Sequence, residues 1–259
     1  MLYFEHIIIL LLGLSFGSFA NVCINRLPKN DSIMTSSRCQ HCGKPIPYYD
    51  NIPIFSYLIL RGNSRCCKKE ISVQYPIIEL VIALLSLLIF NHFNFTPDSL
   101  LVFIFCFSLV VIFMTDFKEF IIPNAITYPI IILGIVINIL DINPFDLNLL
   151  DSLIGGIFSA FLFFIISKVF LIVRKKEGLG MGDVKLIAMI GFWIGIQSVL
   201  IIIIISSLVG AIFGFIMVGF KKLQIADYLP YGCFISMAAG FVIYLDLWVG
   251  LNIFKIMAF

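Results

Sequence analysis

Apolar runs recur along the whole chain, and no other feature constrains its folding as tightly. A run of about 20 apolar residues can cross a bilayer as one helix, a form that satisfies its own backbone inside lipid. The runs predict eight spans, near 3–24, 73–92, 98–115, 122–140, 152–173, 183–197, 199–219 and 230–252. Apolar residue types fill 61% of the 259 positions and charged types only 12%, more apolar surface than a water-soluble domain of this length can hide. The reading is an all-α polytopic membrane protein with about eight transmembrane helices. No basic stretch precedes the first run, and Leu27-Pro28 after it offers no small-residue cleavage site, so it is expected to remain as a helix.

The basic residues set the orientation. With eight spans, 16 of the 17 Lys and Arg fall on one side or, as Lys168 and Lys185 do, in span ends adjoining it, and Lys255 alone falls on the other, whose loops and span ends carry Asp98, Asp141, Asp146 and Asp151. The basic side is expected to be cytoplasmic and the N-terminus to lie outside. Gln197-Ser198 is a weak boundary, but joining spans across it would put Lys221 and Lys222 on the wrong side. Three parts follow: a first transmembrane helix over 1–24, a cytoplasmic cysteine-containing loop domain over 25–72, and a transmembrane core over 73–259.

Two acids stand at span mouths. Asp183 ends Gly178-Leu179-Gly180-Met181-Gly182-Asp183, where the sixth span begins, and Asp116 ends the third. A carboxylate at such a position is costly and points to function, and the glycines allow close backbone approach. The topology puts both acids on the cytoplasmic face, where helix packing can bring them together. Paired carboxylates resist ionising together, so one stays protonated and the pair titrates as a unit. One member can then take a proton from water while the other donates to a carbonyl oxygen, the chemistry of a membrane-embedded aspartyl protease. The bland alternative is that each acid is an interfacial residue or helix cap. Glu5, Glu79 and Asp227 fit that description, and Glu119 is expected beside Lys118 in a loop.

The 25–72 loop holds Cys39-Gln40-His41-Cys42-Gly43, one half of a zinc knuckle, and then Cys66 and Cys67. The repeat is incomplete, because Ser64 stands where a cysteine belongs. Adjacent cysteines share one ion only through a tight bend, so Cys67 with His41, Cys66 or water are the candidate completions. A reducing cytoplasm argues against a disulfide. Cys23, Cys106 and Cys233 lie in apolar runs and read as core thiols. Gly13, Gly17 and Ser18, and the pair Gly210 and Gly214, read as close helix packing, and the isoleucines at 201–205 as lipid-facing bulk. No Walker loop, Rossmann glycine run or nucleic-acid patch is present, so no nucleic-acid partner is expected; the basic loop would attract anionic membrane lipid.

An ordered set of motifs now carries a resemblance over nearly the whole chain. Gly17-Ser18-Phe19-Ala20-Asn21-Val22 with Arg26-Leu27-Pro28, the cysteine loop, Tyr75-Pro76-Ile77-Ile78-Glu79-Leu80, Thr115-Asp116 and Ile122-Pro123-Asn124 come first. Gly180-Met181-Gly182-Asp183-Val184-Lys185-Leu186 and Pro230-Tyr231-Gly232 follow. Together they resemble the type IV prepilin peptidases (prepilin leader peptidase/N-methyltransferases), which are GxGD-type intramembrane aspartic proteases. The resemblance implies a multi-pass bacterial inner-membrane enzyme that removes the leader of type IV prepilins and pseudopilins at the cytoplasmic face, serving pilus assembly and type II secretion. It also implies N-methylation of the new N-terminal residue with S-adenosylmethionine. On matching positions Asp116 and Asp183 are the catalytic pair, with Gly180, Gly182 and Lys185 shaping the site. Cys39, Cys42 and Cys67 match three of the family's four loop cysteines, while Cys66 is a metal-ligand candidate from its place in the loop alone; the cysteine loop and Glu79 fall in the region associated with methylation. The chain departs from the pattern at Ser64, which replaces a family cysteine, and at Lys118 and Asn124, where relatives often carry acids. Two other readings make different predictions. A peptidase without methyltransferase activity would leave the new N-terminus unmethylated. A proton-coupled transporter would use the acids without cleaving anything, but such proteins usually show paired repeats, and none is seen here.

Overall fold

The computed structural model describes residues 2–175, 179–220 and 229–251. Gly178, Lys176, Lys221, Lys222, Asp227 and Lys255 lie outside them. Among the described residues the chain is all-helical, with two isolated β-bridges and no strand. The helices are α1 (Leu2–Arg26), a short α2 (Phe55–Ile59), α3 (Gln74–Phe93), α4 (Pro97–Glu119), α5 (Asn124–Ile139), α6 (Leu149–Arg174), α7 (Met181–Gly219) and α8 (Tyr231–Leu247). Five of them are long and apolar enough to cross a membrane, and α5 and α8 are shorter apolar helices. The protein is a multi-pass membrane protein.

α7 holds the expected sixth and seventh spans as two helices that meet at a break at Gly195 (φ 76°, ψ 172°). The break falls two residues before the expected boundary, because glycine alone takes that backbone conformation without strain. It interrupts the helical ladder inside an apolar region, where an unpaired carbonyl is expensive. Side chains supply the missing donors. Asn138 Nδ2 and Ser152 Oγ donate to the Phe192 carbonyl at 3.1 and 2.8 Å, and Asn143 Nδ2 donates to that of Trp193 at 3.2 Å. Trp193, fully buried and stacked on Phe105, donates through Nε1 to the Ile130 carbonyl at 2.8 Å.

The chain divides within α4 into two compact units, residues 1–103 and 104–259. In the first unit α1 packs on α3 through the small residues expected to do so. A Cβ on Gly17 would lie 2.5 Å from Glu79 Cα, and one on Gly13 would lie 2.7 Å from Ala83 Cα. In the second, α6 and α7 meet backbone to backbone: a Cβ on Gly191 would lie 2.3 Å from the Gly155 carbonyl oxygen. Ile202 is fully buried while Ile204 is 60% exposed, so the 201–205 run is only partly lipid-facing, one helical stripe being turned into the bundle. Gly191→Ala must push α6 and α7 apart. It is expected to cost about 1–3 kcal/mol as overpacking does elsewhere, read as a lowered thermal midpoint in detergent, while Gly219→Ala, with open space around it, leaves the midpoint unchanged.

Candidate active site and cysteine cluster

Asp116 lies in the last turn of α4 and Asp183 in the first turn of α7, both buried (5% and 8% exposed). The first amides of a helix have no acceptor within it, and both carboxylates take such amides. Asp183 reaches back to the N-cap of its own helix, where Gly180 N–H donates to Oδ2 at 3.0 Å. Asp116 accepts from another helix: Cys233 N–H, in the first turn of α8, donates to its Oδ2 at 2.9 Å. Ile122 fills the space between, because a Cβ on Gly182 would lie 3.1 Å from Ile122 Cβ and one on Gly232 would lie 2.7 Å from Ile122 Cδ1. Ile122 thus stands against both Gly182, next to Asp183, and Gly232, next to the amide that holds Asp116, which brings the two helix ends onto one residue. A plain helix cap explains the Gly180 bond; it does not explain burial near a second carboxylate.

The other expected site residues fall nearby. Gly182 packs on Ile122, and Lys185 hydrogen-bonds Asn124 at the start of α5 with its ammonium 5.5 Å from the Tyr128 ring centroid. Glu119 is exposed at the end of α4, unlike the buried pair. Sequence reasoning missed the role of α8. Cys233 read as a core thiol, and it is buried, with Sγ donating to the Phe113 carbonyl at 3.1 Å. Its amide, invisible in a side-chain motif, is what holds Asp116. The signal was Pro230-Tyr231-Gly232, a glycine where the chain passes a carboxylate.

In the first unit the cysteine loop forms two small knuckles. Arg38 bridges Pro45 and Asn63 bridges Glu70. Inside each, an amide and a carbonyl close a tight turn: Cys39 N–H to Lys44 O at 2.9 Å and Gly43 N–H to Cys39 O at 2.9 Å, then Ser64 N–H to Lys69 O at 2.8 Å and Lys68 N–H to Ser64 O at 2.9 Å. The second turn supplies the bend that adjacent cysteines need, with Lys68 at φ 58°. The sulfurs of Cys39, Cys42, Cys66 and Cys67 all lie within 4.8 Å of one another. Four soft thiol donors so gathered fit a tetrahedral thiophilic ion such as zinc. Burial pushes the Cys39 thiol up, but the amides of His41 and Cys42 and the neighbouring thiols outweigh it and bring it down to about 6, while the Cys42 thiol drives Cys66 up to about 12. His41 is turned to the Glu70 carbonyl, 3.3 Å from Nε2. Asp50 braces the second knuckle through a 2.8 Å ion pair with Arg65.

Glu79 is buried (6% exposed) on α3, and its carboxylate accepts Ile54 N–H at 2.7 Å. Ile54 (φ 60°, ψ −51°) centres a tight turn closed by Phe55 N–H to Pro53 O at 2.6 Å, a strained conformation for a β-branched residue. Glu79 thus pins the loop to α3.

Comparison with known proteins places the chain. The Bacterial Peptidase A24 N-terminal domain matches residues 11–93, and the Type IV leader peptidase family matches residues 103–215. The prepilin leader peptidase/N-methyltransferase of Pseudomonas aeruginosa is 33% identical over 88% of this chain and 86% of its own length. The proteins of the same name from Vibrio cholerae and Aeromonas salmonicida are 35% identical (83% of this chain, 87% of theirs) and 31% identical (92% and 89%). The chain belongs to the type IV leader peptidase family. No solved structure matches it.

Gly232 is the tightest point of the site, since a Cβ there would lie 2.9 Å from Asp116 Oδ2. Gly232→Ala is expected to displace the carboxylate and lower prepilin cleavage by about 10²-fold, the cost of a misplacement near 1 Å. Cleavage kinetics beside an unchanged elution profile in detergent check this.

Proposed function

We propose that the protein is an inner-membrane aspartic endopeptidase that removes the leader peptides of type IV prepilins and pseudopilins at the cytoplasmic face, with Asp116 and Asp183 as its catalytic pair, and then methylates the new N-terminal residue. The observation that carries this reading is the pairing of two buried carboxylates at the ends of α4 and α7, in a chain of this family. The excess of Lys and Arg on one side supports a cytoplasmic site and an external N-terminus. The basic loop residues would also draw anionic headgroups to that face.

The substrate's apolar helix lies in the bilayer and its basic leader stays in the cytoplasm, which fixes the scissile bond near the acids and supplies orientation. The ionised carboxylate takes a proton from water as the oxygen attacks the scissile carbonyl, and the protonated one donates to the carbonyl oxygen. Collapse of the tetrahedral intermediate breaks the C–N bond, and the amine leaves with a proton returned by the pair. The Gly180 and Cys233 amides hold the two carboxylates in place throughout, and Gly180, Gly182 and Lys185 shape the approach.

S-adenosylmethionine supplies the methyl group for the second activity. Glu79 serves there by fastening the loop to α3. Zinc held by Cys39, Cys42, Cys67 and a fourth donor would staple the two knuckles together, which a loop too small for its own apolar core needs.

The test is cleavage of a purified prepilin in detergent, read by intact mass with and without S-adenosylmethionine. Asp116→Asn and Asp183→Asn are each expected to lower cleavage by about 10²–10⁴-fold while leaving a folded protein. Full processing by either variant would overturn the pair. Leader loss with no added methyl in the wild type would reduce the reading to a peptidase alone.

A further inference from the structure

The two knuckles are the same turn built twice, and they part at the first ligand position. Cys39, Cys42, Gly43 and Lys44 in the first correspond to Ser64, Cys67, Lys68 and Lys69 in the second, since each set makes the same pair of turn hydrogen bonds. Gly43 (φ 70°) and Lys68 (φ 58°) share the left-handed conformation that frees the backbone after the second ligand position. A symmetric four-sulfur site would therefore need a thiol at 64, where the chain has a hydroxyl. Ser64 Oγ does occupy that place, 2.9 Å from Cys67 Sγ. The chain has another thiol two residues on. Cys66 Sγ lies 3.1 Å from Cys42 Sγ and 3.9 Å from Ser64 Oγ, and Cys67 Sγ lies 3.8 Å from Cys39 Sγ. Tetrahedral ligation at about 2.3 Å from an ion separates sulfurs by about 3.8 Å; the Cys39–Cys67 pair stands at that spacing, Cys42–Cys66 would open slightly, and all four sulfurs lie within 4.8 Å of one another.

The geometry points to Cys66 as the fourth ligand of this metal site, a thiolate displaced by two residues from the position that the repeat assigns, with Ser64 kept as a hydrogen-bond donor to the Cys67 sulfur. Zinc prefers thiolate to a neutral hydroxyl, and a metal-bound sulfur is steadied by an outer donor of this kind. The site is thus a complete four-sulfur site with an asymmetric second half. Cys66 and Cys67, adjacent in sequence, both reach the ion because the Ser64–Lys69 turn bends the chain between them. This inference rests on the zinc reading of the cluster and is independent of the peptidase reading.

Cobalt(II) loading of the purified full-length protein in detergent tests it, because sulfur-to-cobalt charge-transfer absorption per bound ion counts the thiolates. The wild type is expected to give a tetrahedral four-thiolate spectrum. Cys66→Ser should lose about one quarter of the charge-transfer intensity per ion, with affinity weakened by about 10-fold or more. Ser64→Ala should keep the full intensity, and adding Ser64→Cys to Cys66→Ser should restore it, which also shows that the loop still folds. Full intensity per ion in Cys66→Ser, or loss of a thiolate's share in Ser64→Ala, would overturn the assignment. A wild type that takes up neither cobalt nor zinc would remove the metal reading and the assignment with it. Prepilin cleavage by that same sample reports on the peptidase reading separately.

Discussion

Inside a bilayer every backbone amide and carbonyl must find its partner within the protein, and the rest of this structure depends on that constraint. It makes the membrane part all-helical. It also limits where a helix can break. At Gly195 the chain does break, and three polar side chains from α5, α6 and the segment between them meet the carbonyls of Phe192 and Trp193. Asn138 and Ser152 are buried polar residues in otherwise apolar helices, and the break is what they answer to. With those donors in place α7 keeps a defined bend instead of an unsatisfied one.

The same constraint shapes the site. Helix ends are the places where backbone donors remain free, so an anionic group can be held there without a cation. Asp183 takes the Gly180 amide at the start of α7, and Asp116 takes the Cys233 amide at the start of α8. Two carboxylates so held need no salt bridge. Ile122 packs between the glycines at 182 and 232 and keeps the pair in an apolar setting. Small residues are needed at both points because the neighbouring groups already stand at contact distance.

The loop obeys different physics. Its short turns bury little apolar surface, and its order comes from specific ties: the two knuckles, the Asp50–Arg65 ion pair, the Arg26 guanidinium donating to the carbonyls of Ser32, Thr35 and Ser36, and the Ile54 amide on Glu79. Tyr75 adds another, its hydroxyl accepting from Gln40 and Asn25 at 2.7 and 3.2 Å. A metal ion at the four sulfurs would join the halves that these ties leave separate.

Much of this was legible in the sequence, for reasons that differ by residue. Apolar run length is a direct consequence of bilayer thickness, so the membrane class and most helix positions could be read from it. The motif at Gly180–Asp183 marked a carboxylate too costly to be incidental, and the small residues of α1 announced a close helix crossing. What could not be read were contacts made by backbone atoms and by residues remote in sequence. The amide of Cys233 on Asp116 spans 117 positions and involves no side-chain donor. The gathering of Cys66 with Cys42 depends on a turn whose left-handed residue is Lys68, where composition gives no hint of a bend. Glu79 read as an interfacial acid or a residue of the methylation region, and only packing set it against Ile54. The sequence by itself determined that the chain lives in a membrane and which acids are conspicuous, because the cost of apolar and charged groups in water and lipid is local. The tertiary structure alone decided which amides hold those acids and which sulfurs meet, because both depend on where separate helices and turns come to rest.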